Sequence, residues 1–91
     1  MKQGVHAEDV WGARGRGFSM GIVAPEERTI HLTGQVAWDA NETIVGDGDV
    51  SRQTEMCFDN IERLLRDVGG TLDDLASVTT WFIDREHLPL I

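Results

Sequence analysis

The chain has 91 residues, of which 16 are acidic and 8 are basic, giving a formal net charge of −8. This length predicts a single domain with a small core, and no apolar run of about 18 residues is present that would predict a membrane span. The acidic surplus argues against nucleic acid as a partner, because phosphate binding depends on neutralisation by Lys and Arg.

Residues 1–16 are predicted to form a flexible N-terminal arm, because their polarity is mixed and they are rich in glycine. Trp11 is suited to pinning this arm to the body of the protein. The N-terminus has no apolar core of the kind found in signal peptides, and the single cysteine, Cys57, has no disulfide partner within the chain. Both features favour a cytoplasmic protein.

Two strands are predicted next, joined by a short turn that contains Pro25. The first covers residues 17–23, where apolar side chains alternate. The second, residues 29–37, has Ile30, Leu32, Gly34 and Val36 on one face and His31, Thr33, Gln35 and Ala37 on the other. The short connection predicts an antiparallel hairpin.

Residues 38–48 form a polar loop in the prediction, in which Trp38 either borders a pocket or anchors the loop. A calcium loop that starts at Asp39 would need glycine at its sixth position and glutamate at its twelfth. Those positions hold Ile44 and Val50, so a calcium loop is rejected. The histidines and Cys57 lack metal-ligand spacing, and we expect no metal and no cofactor.

An amphipathic helix is predicted over residues 49–70. Asp49 or Ser51 supplies the N-cap, and Gly69 ends the last turn. Acidic and basic residues four apart, Asp59 with Arg63 and Glu62 with Arg66, are expected to pair. The apolar stripe consists of Val50, Thr54, Cys57, Ile61, Leu64, Leu65 and Val68.

A third strand is predicted over residues 76–84, after a short turn that Thr71 caps. Both faces of this strand carry large apolar side chains, Phe82 on one face and Trp81 on the other. One face can pack under the helix, and the other needs a cover from outside the chain, which predicts self-association. Residues 86–91 begin a further helix that has Pro89 in its first turn.

The order and spacing of several short motifs then identify a family. They are Thr33-Gly34-Gln35, Gly46-Asp47-Gly48-Asp49-Val50 with Gln53, Gly69-Gly70-Thr71-Leu72-Asp73-Asp74, and Asp84. Over residues 29–84 the chain resembles the Rid family, the reactive intermediate deaminases that are also called YjgF-like or L-PSP endoribonuclease proteins. The Rid-like domain is expected to cover residues 17–91.

The resemblance implies an α+β, chorismate-mutase-like fold in which a sheet carries a helix on one face. It also implies a homotrimer with a central barrel and clefts between the subunits. Characterised deaminases of this family hydrolyse small imino or enamino acids to 2-oxo acids and ammonia in those clefts. By resemblance, the substrate-binding residues of this chain are Phe18, Thr33 and Gly34, with Phe18 at a position where many members carry tyrosine.

The chain also departs from the family pattern. The arginine that grips the substrate carboxylate comes from a later strand that this sequence does not contain, so the domain is expected to be incomplete at its C-terminus. A non-catalytic ligand-binding or regulatory trimer is therefore an alternative to a deaminase, and endoribonuclease activity ranks below both because of the negative charge. His31 is a second proton carrier to consider beside Thr33, although a histidine on a half-exposed strand is more often structural.

Overall fold

The computed structural model describes residues 3–12, 20–23 and 29–91. In these ranges an antiparallel sheet packs against one long helix, α1 (Val50–Asp67). The strands are ordered β1-β2-β3 and comprise β1 (Gln3–Gly4), β2 (Gly21–Val23) and β3 (Ile30–Leu32). Two short 3₁₀ helices follow, Leu72–Asp74 and Arg85–Leu90. The architecture is α+β, as the sequence predicts.

The hairpin of β2 and β3 is antiparallel, with Ile22 opposite His31, which confirms the predicted pairing. Ile30 and Leu32 are half-buried and contribute to the core, while His31 between them is exposed. The predicted second strand is too long, however, because β3 ends at Leu32. Among the described residues, the backbone after Leu32 bonds to side chains as well as to backbone groups of the neighbouring loop. Pro25 in the predicted turn lies outside the described residues.

The N-terminal residues 3–12 pack against the body. β1 pairs with β2, and the Val5 N–H extends this pairing by donating to the Gly21 carbonyl at 2.9 Å. Trp11 is buried, as expected of a residue that pins the segment. The predicted boundary after residue 16, between a flexible arm and the domain, falls among residues that the structure does not describe and stays a prediction.

The core lies between the sheet, the N-terminal segment and α1. Its buried apolar cluster consists of Val5, Val10, Trp11, Met20 and Leu64, with Leu64 supplied by the helix. Burial of each such large side chain stabilises the fold by roughly 1.5–3 kcal/mol. Among the residues that the structure describes, no helix combines the length and apolar character needed to cross a membrane.

Both ends of α1 form as the sequence predicts. Asp49 is the N-cap, and its carboxylate accepts the Arg52 N–H at 3.0 Å. Gly69 has a positive φ of 81°, and the N–H of Gly70 donates to the Leu65 carbonyl at 2.8 Å. This pattern is a Schellman C-cap. Ser51, the other N-cap candidate, instead donates its hydroxyl to the Leu90 carbonyl at 3.2 Å and so ties the C-terminal 3₁₀ helix to α1.

The buried face of α1 differs in part from the predicted stripe. Leu64 and Leu65 are buried as predicted, but Met56 and Asn60 are buried as well and were not in the predicted set. The other predicted members are half-buried: Val50, Thr54, Cys57, Ile61 and Val68. The stripe is therefore centred on residues that recur every fourth position, from Met56 through Asn60 to Leu64, and one of them is polar.

The ion pairs on α1 follow the predicted pattern only in part. Arg66 pairs with Glu62 at 3.8 Å, as expected for residues four apart. Arg63 does not select Asp59: its Nε lies 3.3 Å from the Asp9 carboxylate, in the N-terminal segment. Asp59 instead lies 3.8 Å from Arg52. The tertiary partner of Arg63 could not be read from helical spacing.

The predicted third strand is wrong for this structure. Residues 76–84 form no strand, although a capping box at Thr71 starts the preceding 3₁₀ helix as predicted. β-branched and aromatic composition favours a strand only where a neighbouring strand supplies hydrogen-bond partners. Here the side chains of Trp81 and Ile83 are 90% and 99% exposed. The segment has the composition of a strand without the pairing.

Two glycines before α1 share a positive φ but differ in the space around them, so substituting each with alanine distinguishes backbone strain from steric overlap. Gly46 and Gly48 have positive φ values of 77° and 76°. A Cβ on Gly46 would lie 2.8 Å from the Arg52 Cβ, whereas a Cβ on Gly48 would meet nothing within 4 Å. We expect Gly48→Ala to lower the free energy of unfolding by about 1–2 kcal/mol, and Gly46→Ala to lower it by roughly 1–3 kcal/mol more. Urea unfolding followed by circular dichroism measures both, and equal losses would contradict the packing at Gly46.

Candidate functional site

The candidate site begins directly after β3, at Thr33 and Gly34, which we call the Thr33–Gly34 corner. The Thr33 N–H donates to the Met20 carbonyl at 2.7 Å, which fixes the start of the corner to the end of β2. Thr33 is half-buried and Gly34 is exposed. A Cβ on Gly34 would meet no atom of the described residues within 4 Å, which leaves the backbone here open to a ligand or a second chain as far as those residues are concerned.

Residues 35–38 follow the corner and are held by side chains of α1. The Asn60 Nδ2 donates to the Val36 carbonyl at 3.3 Å and to the Trp38 carbonyl at 3.0 Å. The Cys57 thiol donates to the Gln35 carbonyl at 3.6 Å. These carbonyls lie beyond the end of β3. Side chains of α1 therefore supply the hydrogen-bond donors that a neighbouring strand would supply if β3 were longer.

The side chain of Gln35 links the corner to the N-terminal segment. Its Oε1 accepts the Trp11 Nε1–H at 3.0 Å, and its Nε2 donates to the Thr33 carbonyl at 3.4 Å. The Trp11 and Trp38 rings meet edge to face, with centroids 5.4 Å apart and planes at 82°. Trp38 therefore anchors the loop against Trp11, one of its two predicted roles.

The loop that follows Trp38 is organised by a single carboxylate. Asp39 Oδ1 accepts the N–H groups of Asn41 and Thr43 at 2.9 and 3.0 Å, and Trp38 forms an isolated β-bridge with Ile44. The Val45 N–H donates to the Ala37 carbonyl at 2.8 Å. Asp39 therefore shapes a turn, and the loop returns to pair with Ala37 and Trp38.

Asn60 is the functional candidate that the sequence prediction missed. It is completely buried, and its Oδ1 has no hydrogen-bond partner among the described residues although its Nδ2 donates twice. Buried polar groups are rarely left in this state. A hydrophobic pattern cannot select an asparagine, but its position four residues from both Met56 and Leu64 was a usable signal.

Cys57 has the chemistry of a packed thiol. It is half-buried, and burial raises the pKa of its thiol. A raised pKa reduces the thiolate fraction near neutral pH, which is the reverse of what a nucleophilic cysteine needs. The predicted role of a small packing residue agrees with this environment.

The other predicted residues are distributed as follows. His31 is exposed on β3, and Phe18 lies outside the described residues. Arg52, Arg63 and Arg66 form ion pairs with carboxylates along the flank of α1. Within the described ranges, no three His, Cys, Asp or Glu side chains converge as a metal site would require.

A shallow groove of about 340 Å³ lies elsewhere, between the N-terminal segment and the C-terminal half of α1. The His6 N–H donates to the Asp67 carboxylate at 3.1 Å, and the Asp9–Arg63 ion pair also joins its two walls. Of the predicted site residues that the structure describes, Thr33 and Gly34, neither lines this groove. Polar contacts across the groove join the N-terminal segment to α1.

Comparison with known proteins places this geometry in a family. The profile described as endoribonuclease L-PSP matches residues 14–89. Over 55 residues the chain is 31% identical to a RutC family protein of Pyrococcus abyssi, a match that covers 60% of this chain and 43% of that relative. The crystal structure of yeast Mmf1 matches with a TM-score of 0.70 at 20% identity, covering 80% of this chain and 55% of Mmf1.

The chain therefore spans about half the length of the relatives that it matches. The Mmf1 match confirms the expected α+β, chorismate-mutase-like fold. The family profile covers the Thr33–Gly34 corner, α1 and both 3₁₀ helices almost to their end. The chain belongs to the endoribonuclease L-PSP family, the family of Rid and YjgF-like proteins.

Proposed function

We propose that this chain is a small-molecule imine or enamine deaminase whose substrate binds at the Thr33–Gly34 corner, in clefts between the subunits of a homotrimer. The observation that carries the proposal is the corner itself: a fixed threonine next to an exposed glycine backbone, in a chain of this family. The substrate class is an imino or enamino acid.

The reaction makes modest demands on a protein. Water adds to the carbon of the protonated imine, the carbon–nitrogen bond breaks, and the products are a 2-oxo acid and ammonium. The protein has to orient the substrate, place the water and stabilise the developing charge. The Thr33 hydroxyl and the backbone of Gly34 are the groups that this chain offers for these tasks.

A non-catalytic ligand-binding or regulatory trimer is the second candidate. It is favoured by the ion pairs of Arg52, Arg63 and Arg66 with neighbouring carboxylates. Because these three arginines already pair with carboxylates of the protein, a substrate carboxylate would have to bind a different cationic group. Endoribonuclease activity, which the family description names, ranks third because the net charge of −8 disfavours RNA binding.

Self-association is the second part of the proposal. Trp81 and Ile83 are 90% and 99% exposed, and Val78, Phe82 and Leu88 nearby in sequence are also exposed. An apolar stretch of this kind is typical of a surface that another chain covers. A second copy of the chain is the occupant that membership of this family favours.

Deamination is tested with 2-iminobutanoate generated enzymatically in the presence of the purified protein. We expect ketoacid release to exceed the buffer rate, and Thr33→Val to lower kcat/KM by about tenfold or more because it removes a hydroxyl from the reacting groups. Thr43→Val, the same change at an exposed threonine of the Asp39 loop, is the control and should keep the wild-type rate. A folded trimeric protein that gives no acceleration refutes the deaminase and leaves the non-catalytic trimer.

Assembly is tested by sedimentation equilibrium. We expect the wild-type chain to sediment as a trimer and Ile83→Asp to sediment as a smaller species, because a charge at an apolar interface loses its hydration without a partner. Ile44→Asp introduces the same charge at a side chain that is 57% exposed and lies outside residues 78–83. It should leave the trimer intact. A stable, folded wild-type monomer would overturn the assembly.

A further inference from the structure

We infer that Asn60 is a positioning residue, which fixes from inside the fold the backbone that leads out of the Thr33–Gly34 corner. The starting observation is its burial, which is complete, in a chain whose other buried side chains in the described ranges are apolar. Its amide reaches residues 24 and 22 positions away in sequence, through hydrogen bonds to the Val36 and Trp38 carbonyls. Asn60 thus joins the middle of α1 to the segment after β3.

The cost of this arrangement argues that it does more than fill space. In the part of the chain that the structure describes, the Asn60 Oδ1 is buried without a hydrogen-bond partner, and an apolar side chain of similar size would avoid that penalty. What an apolar side chain cannot do is donate two hydrogen bonds from one atom. Asparagine does so with a short, stiff side chain, and both donated protons go to the same stretch of backbone.

Hydrogen bonds fix the backbone on both sides of Gly34. At one end the Thr33 N–H bonds to the Met20 carbonyl, and at the other end Val36 and Trp38 bond to Asn60. Gly34 lies between these anchors, and its absent side chain permits a wide range of backbone angles. The direction of the Gly34 peptide groups therefore depends on both anchors, and Asn60 controls the second.

The neighbouring contacts support the anchor without replacing it. The Cys57 thiol reaches the Gln35 carbonyl at 3.6 Å, which is a weak bond of the kind expected for sulfur. Gln35 bonds to Trp11 through its side chain, so this contact does not hold the Gln35 backbone directly. Asn60 is the residue that holds two carbonyls on either side of Ala37 at once.

The test uses Asn60→Asp, which keeps the size of the side chain and changes its donors. The protonated carboxyl of this variant supplies one O–H donor in place of two N–H donors, and the ionised carboxylate supplies none. Burial raises the pKa of such a carboxyl group, so one bond is lost at neutral pH and the second is lost as the pH rises through that pKa. Leu64→Val, at a side chain that is also completely buried, is the control for lost packing. It has no part in the bonds to residues 35–38.

Hydrogen exchange supplies the structural readout. The amides of Thr33, Trp38 and Val45 report on the anchored segment, and the amide of Gly70 reports on the C-terminal end of α1. In Asn60→Asp at neutral pH, protection factors of the first three should fall about tenfold relative to Leu64→Val, compared at denaturant concentrations that give equal global stability. The Gly70 amide should be unchanged. Protection in Asn60→Asp should fall further as the pH is raised, because the remaining O–H donor is lost.

Two outcomes overturn the positioning role: equal protection in the two variants at equal stability, or a protection in Asn60→Asp that changes with pH no more than it does in Leu64→Val. Should Asn60→Asp fail to fold at neutral pH, Asn60→Ser, which keeps a single donor, is compared with Leu64→Val in the same way.

The kinetic readout rests on the proposed deaminase. With 2-iminobutanoate as substrate, Asn60→Asp should lose about tenfold in kcat/KM at neutral pH, mostly in kcat, whereas Leu64→Val keeps the wild-type values while it stays folded. A wild-type protein without activity refutes the deaminase alone, because the exchange comparison still decides whether Asn60 positions the corner. Activity in the wild type and equal kcat in both variants would refute the positioning role alone.

Discussion

The structure depends on the pairing of the backbone carbonyls that leave the sheet after Leu32. A buried or half-buried carbonyl without a partner is costly, and β3 is too short to pair those of residues 35–38 with another strand. The protein satisfies them with side chains of α1, through Asn60 and Cys57, and with the backbone N–H groups of Trp38 and Val45. The helix therefore completes the sheet as well as covering it.

This constraint explains why the buried face of α1 is not purely apolar. Leu64 contributes to the core through apolar contact, while Asn60, one turn earlier, contributes through hydrogen bonds. The two residues lie on one face because they are four apart. A burial penalty at the Asn60 Oδ1 is the consequence, and the two hydrogen bonds that the Asn60 Nδ2 donates offset it.

The features that the sequence predicted correctly are those determined by residues close together in the chain. Asp49 at the N-cap, Gly69 at the C-cap and the hairpin of β2 and β3 each depend on residues within a few positions of one another. The features that it missed depend on distant partners: the length of β3, the Asp9–Arg63 pair and the two bonds of Asn60. The third strand failed for the same reason, since strand composition does not supply a neighbouring edge. Thr33 and Gly34 could be proposed from the motif, but their fixed geometry could not.

The exposed residues 76–84 limit the stability of this small domain, whereas the Thr33–Gly34 corner is ordered by contacts within the chain. A core this size stabilises the fold only marginally, while Trp81 and Ile83 contribute almost nothing to it because they face solvent. Covering them with a second copy adds stability that grows with protein concentration. The corner needs no such help for its internal order, because Met20, Gln35 and Asn60 fix it within one chain. In the proposed trimer, assembly therefore supplies much of the stability and the other side of the cleft at the Thr33–Gly34 corner. Each chain brings a corner whose geometry is already set.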